Sequence, residues 1–237
     1  MNKESFIAAV KELGYSLSQL QINQFNIYCE TLLEYNQHTN LTAIKNSEEV
    51  YLKHFYDSLT LLKTIDFNTI NSLLDIGSGA GFPGMVIKII YPNISITLLD
   101  SNHKKTDFLS YLSQKLNLEV NIYNIRAEEF INSNRESFDI VTSRAVASLP
   151  ILCELALPFV ALNGYFLAMK SNYLPELQES NYAITELGAQ LTSITEFKLP
   201  NDDPRAILKI KKIRPTSLSY PRPYEKIIKK PLQKKSK

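Results

Sequence analysis

The sequence of 237 residues predicts an α/β fold in which a helical extension precedes a mostly parallel sheet. Two observations predict this fold. Short apolar runs alternate with helical patterns over about 140 residues, which is typical of a parallel sheet with helices on both faces. In addition, four of the seven glycines lie within Gly77–Gly84, directly after a predicted strand. We expect the backbone to bend sharply there or to approach a ligand closely.

Residues 1–65 form the predicted helical extension. An apolar stripe recurs at helical spacing, and the segment Asn40-Leu41-Thr42 interrupts it. A further helix is predicted to begin near Ser47, because Glu48 and Glu49 place acidic side chains in a first helical turn. The stripe of the earlier helix consists of Leu17, Leu20, Phe25, Tyr28, Leu32 and Tyr35.

The body, residues 66–213, alternates predicted strands with helices. A helix over 84–91 is predicted to end at Pro92, and Asn102 is predicted to cap a helix that buries Phe108, Leu112 and Leu116. Two further helices are predicted over 149–157 and 175–187. The predicted strands cover residues 72–76, 94–99, 119–124, 138–142, 164–170, 190–198 and 206–213.

The last part of the chain is strongly basic. From Arg205 to Lys237 there are 12 Lys and Arg residues and one acid, Glu225, so the residues before Arg205 carry a net negative charge. Four prolines within 214–237 predict an extended tail rather than another helix or strand. A basic tail favours contact with a polyanion, although a solvated end explains it equally well. We expect removal of this tail to spare binding of a small ligand by the body.

Several classes of protein are disfavoured. Cys29 and Cys153 are too few for a disulfide framework, and with three histidines they show no zinc-binding spacing. The N-terminal residues lack the apolar core of a signal peptide, and no apolar run reaches the roughly 18 residues that a membrane span needs. We therefore expect a soluble cytoplasmic protein with no metal site and no membrane attachment.

Three details of the glycine cluster indicate what it binds. Phe82 stands where a dinucleotide-binding fingerprint needs its third glycine, which disfavours a pyrophosphate, and no Gly-Lys-Ser/Thr follows, which excludes a P-loop. Asp75 lies within the end of the preceding strand, two residues before Gly77, where a carboxylate would repel phosphate but suit an ammonium or sulfonium group. Asp100 ends the next strand, where a carboxylate can accept both hydroxyls of a ribose. The backbone of Gly77 and Gly79 would face this ligand.

These residues resemble the S-adenosylmethionine site of class I methyltransferases, which have a Rossmann-like fold. Nearly the whole chain resembles one family of that class in the order and spacing of its motifs: the RsmG (GidB) family of bacterial 16S rRNA guanine-N7 methyltransferases. The motifs are Asn40–Ile44, Lys53–Ser58, Asp75–Gly84, Leu99–Ser101 with Lys104, Lys105, Phe108 and Leu109, Arg126–Glu129, Ser143-Arg144-Ala145 and Tyr220-Pro221-Arg222.

The resemblance implies that S-adenosyl-L-methionine donates a methyl group to N7 of one guanosine in 16S rRNA of the small ribosomal subunit. Because N7 carries a lone pair and no proton, we expect no catalytic base and a reaction driven by positioning. His54 is interpreted as a residue of a helix face rather than as a base. By the resemblance, the cofactor contacts fall on Gly77, Phe82, Ala127, Glu128 and Arg144, to which the glycine-cluster argument adds Asp75, Gly79 and Asp100.

Contacts with RNA are less clearly marked. Lys53, Lys104, Lys105 and Arg222 are candidates, although lysine stands at 53 where the family usually has arginine. The family usually continues from Tyr-Pro-Arg into a Gly-x-Pro segment, which is absent here. We expect the 16S rRNA or the 30S subunit as partner, and a monomer. Three alternatives stay open: a non-catalytic ribosome-assembly module, a methyltransferase for another substrate, and a nicotinamide-linked dehydrogenase, which Phe82 disfavours.

Overall fold

A seven-stranded sheet lies at the centre of the protein in the computed structural model, which describes residues 1–144 and 147–232. The strands are β1 (Ser72–Ile76), β2 (Ser95–Asp100), β3 (Asn121–Asn124), β4 (Phe138–Arg144), β5 (Val160–Lys170), β6 (Ala189–Lys198) and β7 (Pro204–Lys212). The helices are α1 (Lys3–Glu12), α2 (Gln19–Thr39), the continuous helical segment α3 (47–63), α4 (Gly84–Ile90), α5 (His103–Leu116), α6 (Ala127–Phe130), α7 (Leu149–Ala156), α8 (Leu174–Glu186) and α9 (Tyr224–Lys229).

The sheet is mostly parallel, as the sequence predicts. The strand order is β3-β2-β1-β4-β5-β7-β6. Strands β1 to β5 pair in parallel, and β7 runs antiparallel to both β5 and β6. Successive strands spread to one side from β1 to β3 and to the other side from β4 onward. The order therefore reverses between β1 and β4, and ligands of such sheets bind in the crevice beyond the carboxyl ends of the strands at that point.

The helices cover both faces of the sheet. On one face α1, α2, α3, α4 and α5 bury an aromatic cluster, in which the rings of Phe6 and Phe25 meet edge to face with centroids 5.0 Å apart. These side chains share one apolar core with Leu73 of β1 and Ile140 of β4. The predicted N-terminal extension thus packs directly on the sheet. Helices α6 to α9 cover the opposite face.

Helical winding changes along α3. Residues Ser47–Glu49 are α-helical, Val50–Tyr56 form a π-helix, and the segment returns through Asp57–Leu59 to a final 3-10 turn over Thr60–Lys63. π-Helical segments are rare and occur often at functional sites, because the wider turn redirects side chains. This π-helix carries Lys53 and His54.

The prediction of a wholly extended C-terminal tail is wrong for the described part of that tail. Residues Tyr224–Lys229 form the helix α9, and Ile227 within it is fully buried. The prolines flank this segment instead of interrupting it, and Pro223 occupies the N-cap position, just before the first helical residue, where the absence of an N–H costs nothing. Residues 233–237, which include the last lysines, lie outside the described residues.

Three properties of the described residues concern membrane spans, metal clusters and thiols. Within residues 1–144 and 147–232, no helix is long and apolar enough to cross a membrane. In that same part of the chain, no cluster of three or more His, Cys, Asp and Glu side chains could hold a metal ion. Cys29 and Cys153 are both buried in the apolar cores.

Candidate active site

A cavity of about 400 Å³, here called the first cavity, opens beyond the carboxyl ends of β1, β2, β3 and β4. Its lining comes from the glycine-rich loop after β1, the end of β2, the residues after β3 and the last residue of β4. Among the predicted cofactor residues it contains Gly77, Gly79, Phe82, Asp100, Ala127, Glu128 and Arg144. The structure therefore brings together seven of the eight residues predicted from sequence.

The loop after β1 is fixed by its neighbours. Gly77 and Gly79 have φ angles of 69° and 58°, the left-handed region that glycine adopts at little cost. The N–H groups of Gly77 and Ser78 both donate to the carbonyl of Leu99, at 2.7 and 3.1 Å. The Ser78 hydroxyl donates to the carbonyl of Asp75 and accepts from the N–H of Leu99. The loop is thus locked to the end of β2 before any ligand binds.

Asp100 connects this loop to the following helix. Its Oδ2 accepts the N–H of Gly79 at 2.9 Å, and its Oδ1 accepts the N–H of Asn102 at 2.9 Å. Lys105 Nζ lies 3.5 Å from Oδ2. Because each carboxylate oxygen has two lone pairs, Asp100 keeps acceptor capacity toward the cavity while its orientation is fixed.

The predicted role of Asp75 as a ligand contact needs correction. Its side chain is fully buried and does not line the first cavity. Oδ2 turns away to accept the N–H of Gly84 at 2.8 Å, and Oδ1 has no hydrogen-bond partner among the described residues. Burial raises the pKa of Asp75 to about 7. A Cβ at position 84 would lie 2.9 Å from Oδ2, so glycine there permits this contact. Asp75 holds the loop against α4.

Ala127 and Glu128 follow β3 at the start of α6. They line the first cavity beside Ile125, as the resemblance implies. The side of the cavity between β2 and β3 is therefore bounded by Asp100 on one strand end and by Glu128 beyond the other.

A stacked pair of rings forms another wall of the first cavity. The rings of His54 and Phe82 are nearly parallel, at 15°, with centroids 4.2 Å apart. His54 Nε2 lies 2.9 Å from the hydroxyl of Thr42, and Nδ1 lies 3.0 Å from the Arg144 guanidinium. Burial, reinforced by the nearby charge of Arg144, lowers the pKa of His54 to about 3. His54 is therefore neutral at physiological pH, and the interpretation of it as a plain helix-face residue omitted its place in this wall.

Arg144 is held by four contacts. Its Nη1 donates to the carbonyl of Lys53 at 2.9 Å and to Asp57 Oδ2 at 3.1 Å, while Nη2 contacts His54. The guanidinium also lies over the Phe82 ring, 5.0 Å from its centroid. Asp57 is almost fully buried, and its other oxygen accepts the Nε of Arg205 at 3.1 Å. One carboxylate thus orients two arginines.

A second cavity, also of about 400 Å³, adjoins the first and shares His54 and Arg144 with it. Its charged lining residues are Lys53, Asp57, Arg144, Lys170, Glu176 and Arg205. Four of these are cations and two are anions, so the lining carries an excess of positive charge. Phe197 and Met169 supply apolar wall.

The comparison with protein families decides the identity. Residues 21–206 match the family model described as GidB, rRNA small subunit methyltransferase G. The chain belongs to this family. Two relatives, from Bacillus subtilis and Oceanobacillus iheyensis, are both named ribosomal RNA small subunit methyltransferase G. They are 47% and 48% identical to the chain over 227 residues, which is 94% of this chain and 95% of each relative.

Solved structures support the fold. The YcgJ protein from Bacillus subtilis superimposes with a TM-score of 0.52 at 16% identity, covering 68% of this chain and 100% of that one. The StiE O-MT segment gives 0.52 at 10% identity, covering 65% and 72%. With the sheet order, these likenesses confirm the predicted class I methyltransferase fold.

The residues predicted to contact RNA in this family member separate into two groups. Lys53 is half-buried and pairs with Glu49 at 2.6 Å, and Lys104 is exposed. For both residues, contact with RNA stays a prediction. Lys105 lies instead in the lining of the first cavity. Arg222 also needs correction: its guanidinium donates to both oxygens of Glu154, a carboxylate with no solvent exposure. A buried carboxylate needs a partner cation. Arg222 is that partner for Glu154, so its guanidinium is engaged within the protein.

Among the residues of the first cavity that sequence reasoning missed, Thr42, His54 and Tyr224 have polar or aromatic side chains that bear on ligand binding. Thr42 and His54 stood within motifs that identified the family, but nothing in the sequence placed them beside Phe82. Tyr224 of α9 also lines the cavity and had no sequence signal, because the tail was predicted to be extended. Ala145, part of the Ser-Arg-Ala motif, lies outside the described residues.

Proposed function

We propose that this methyltransferase moves a methyl group from S-adenosyl-L-methionine to N7 of one guanosine in 16S rRNA. The observation that carries the proposal is the pair of cavities that meet at His54 and Arg144. A methyl transfer needs a donor and an acceptor on opposite sides of one point, and the first and second cavities provide such a meeting place.

The first cavity has the donor set that the cofactor requires. The bent backbone at Gly77 and Gly79, the oriented carboxylate of Asp100 and the side chain of Glu128 can hold an amino acid moiety, a ribose and an adenine. When bound, S-adenosyl-L-methionine supplies an electrophilic methyl group on a sulfonium. The polar, loop-built lining fits such a ligand, and no phosphate-binding lysine follows the glycines.

The second cavity is the proposed acceptor site. An RNA nucleotide brings one phosphate charge and a flat base, and this lining offers an excess of cations together with apolar wall. Asp57 keeps Arg144 and Arg205 in fixed positions, so their N–H groups are already arranged before the nucleotide arrives. Preorganised charge of this kind lowers the cost of positioning.

The state of His54 agrees with an acceptor that has no proton to lose. Both ring nitrogens already have partners, Thr42 and Arg144, and the low pKa keeps the ring neutral. Removal of a proton from the acceptor would require a free basic group near the meeting point. Guanine N7 needs none, so placement of the base suffices.

The same reasoning extends to the partner. One base has to reach the second cavity, and we expect the folded subunit to hold that base in place better than free RNA does. We propose that a monomer acts on the 30S subunit.

The test is methyl transfer to 30S subunits that lack this modification. Purified protein and tritium-labelled S-adenosyl-L-methionine are incubated with these subunits and, separately, with naked 16S rRNA. The expected result is one methyl group per subunit at N7 of a guanosine, with slower transfer to naked rRNA. Binding of S-adenosyl-L-methionine without transfer would favour the non-catalytic assembly module, and methylation of another atom would refute the assignment of N7.

A further inference from the structure

The C-terminal segment reaches the first cavity through one side chain. Tyr224, the first residue of α9, lines that cavity together with Ile125, Arg126 and Ala127. The sequence prediction had this tail facing RNA and dispensable for binding of a small ligand. The half-buried ring of Tyr224 instead connects this tail with the proposed small-ligand cavity.

Neighbouring cavities show which end of the first cavity Tyr224 occupies. His54 and Arg144 are shared with the second cavity. Tyr224, Arg126 and Glu128 are shared instead with a third cavity, which is also lined by Lys226 and Lys229 of α9 and by the following Lys230. The residues that the first cavity shares with the second cavity differ from those that it shares with the third. Tyr224 therefore stands at the end remote from the proposed acceptor, beside the residues that follow β3.

We infer that Tyr224 is a cofactor-contacting residue that closes the adenosine end of the first cavity. The inference rests on the proposed function, since it assigns the cofactor to this cavity. The purine ring of the cofactor is a flat aromatic group, and aromatic side chains stack on such rings. Tyr224 is the aromatic side chain at this end of the lining, while Phe82 and His54 line the opposite wall.

One contact to its ring and two anchors in the neighbouring chain fix the position of Tyr224. The guanidinium of Arg126 lies over the ring, 4.8 Å from its centroid. Just before Tyr224 in the chain, Arg222 bonds to the buried Glu154 through its backbone N–H and its guanidinium, and one turn later Ile227 is buried in the core. Leu155, next to Glu154, also lines the first cavity. The position of Tyr224 is thus tied to α7, the helix that contributes Leu155 to the cavity lining.

The absence of tryptophan from the sequence allows a direct test. In the variant Tyr224→Trp, the single indole reports on the first cavity. The matched control is Tyr182→Trp, because Tyr182 is an exposed residue of α8 that does not line this cavity. Each variant is titrated with S-adenosyl-L-methionine and with S-adenosylhomocysteine. We expect a saturable change of fluorescence for Tyr224→Trp, with the midpoint that calorimetry gives, and no saturable change for Tyr182→Trp.

Affinity provides the second readout. Tyr224→Ala should weaken the binding of S-adenosylhomocysteine about tenfold, whereas Tyr224→Phe, which keeps the ring, should bind within about twofold of the unmodified protein. Unchanged affinity in Tyr224→Ala, with a silent indole in Tyr224→Trp, would overturn the inference and leave the proposed function intact. Failure of the unmodified protein to bind either compound would overturn both.

Discussion

The guanidinium of Arg222 lies against the carboxylate of Glu154, with Nη2 2.6 Å from Oε2 and Nε 2.8 Å from Oε1. Glu154 has no solvent exposure, and among the described residues Arg222 is the cation that pairs with it. The backbone N–H of Arg222 adds a third bond, at 2.9 Å. The C-terminal segment is thereby fixed to α7, which contributes Leu155 to the first cavity.

Replacement of Arg222 by alanine should therefore destabilise the whole protein. The variant Arg222→Ala leaves a buried carboxylate without its cation, which typically costs about 3–5 kcal/mol. Urea denaturation followed by circular dichroism measures this loss. The control is Lys229→Ala, because Lys229 forms an exposed i,i+4 pair with Glu225 that is worth less than about 1 kcal/mol. Equal unfolding free energies for the two variants would contradict this role of Arg222.

Removal of the Asp100 carboxylate should weaken cofactor binding. In Asp100→Ala the cavity loses a charged acceptor, and the N–H of Gly79 loses its partner, so we expect a loss of about 1–3 kcal/mol in binding free energy. Isothermal calorimetry with S-adenosylhomocysteine measures the change. Asp107→Ala serves as control, since Asp107 is half-exposed on α5 outside the cavity lining. An unchanged dissociation constant in Asp100→Ala would remove Asp100 from the site.

Asp75 should tolerate asparagine better than alanine. The amide oxygen of Asp75→Asn can still accept the N–H of Gly84, whereas Asp75→Ala leaves that buried N–H unpaired, at a cost of about 1–3 kcal/mol.

The stability of Asp75→Asn relative to the unmodified protein should also depend on pH, because the pKa of Asp75 is raised in the folded state. A pKa raised from 3.8 to about 7 means that the folded state holds the proton more tightly. The stability contributed by Asp75 is therefore present below pH 4 and is lost as the pH rises toward 7. Denaturation at pH 5 and pH 8 should show Asp75→Asn gaining on the unmodified protein at pH 8. A constant difference between the two proteins would show that Asp75 does not titrate in this range.

The stability linked to His54 should change with pH in the opposite direction to that linked to Asp75. Its pKa is lowered from 6.5 to about 3, so the unfolded chain binds a proton first as the pH falls. The stability linked to His54 is full above pH 6.5 and should decline by about 2 kcal/mol between pH 6.5 and pH 5, at about 1.4 kcal/mol per pH unit. The charged groups facing the ring are Arg144 and Lys53, both of which oppose a second positive charge.

The matched variant His54→Gln isolates this effect. Asp75 titrates in the opposite direction over the same range, but it does so in both proteins, so it cancels in the difference. Urea denaturation between pH 5 and pH 7.5 should show His54→Gln gaining about 2 kcal/mol of stability relative to the unmodified protein as the pH falls. A difference between the two proteins that stays constant with pH would mean that the pKa of His54 is the same in the folded and unfolded states.

Local patterns in the sequence predicted much of the fold. Strand β1 has the predicted bounds, and Asn102 caps α5 as expected, with its side chain accepting the N–H of Lys104. Both features depend on residues adjacent in the chain: an apolar run before the glycines, and a capping residue before an amphipathic helix. Strand β5 begins at Val160, four residues before the predicted start. The earlier start depends on pairing with Phe138 across a bulge, which only the assembled sheet provides.

The site was predictable where a residue's position on a strand end defines its role. Asp100 lies in the first cavity because any residue at the end of β2 does so. The orientation of Asp75 and the partner of Arg222 depend on tertiary contacts. Asp75 turns to Gly84, nine residues ahead, and Arg222 meets Glu154 across 68 residues of chain. The carboxylates of Asp75 and Glu154 have no solvent exposure, so each needs a partner within the protein. No local sequence pattern identifies that partner.

The measurement that tests the central claim most directly is a map of methylated nucleotides in 16S rRNA from a strain that lacks this gene. Mass spectrometry of nuclease fragments locates each N7-methylguanosine. The two-cavity account predicts that one N7-methylguanosine disappears and returns when the gene is restored. Persistence of every N7-methylguanosine in the deletion strain would contradict the account.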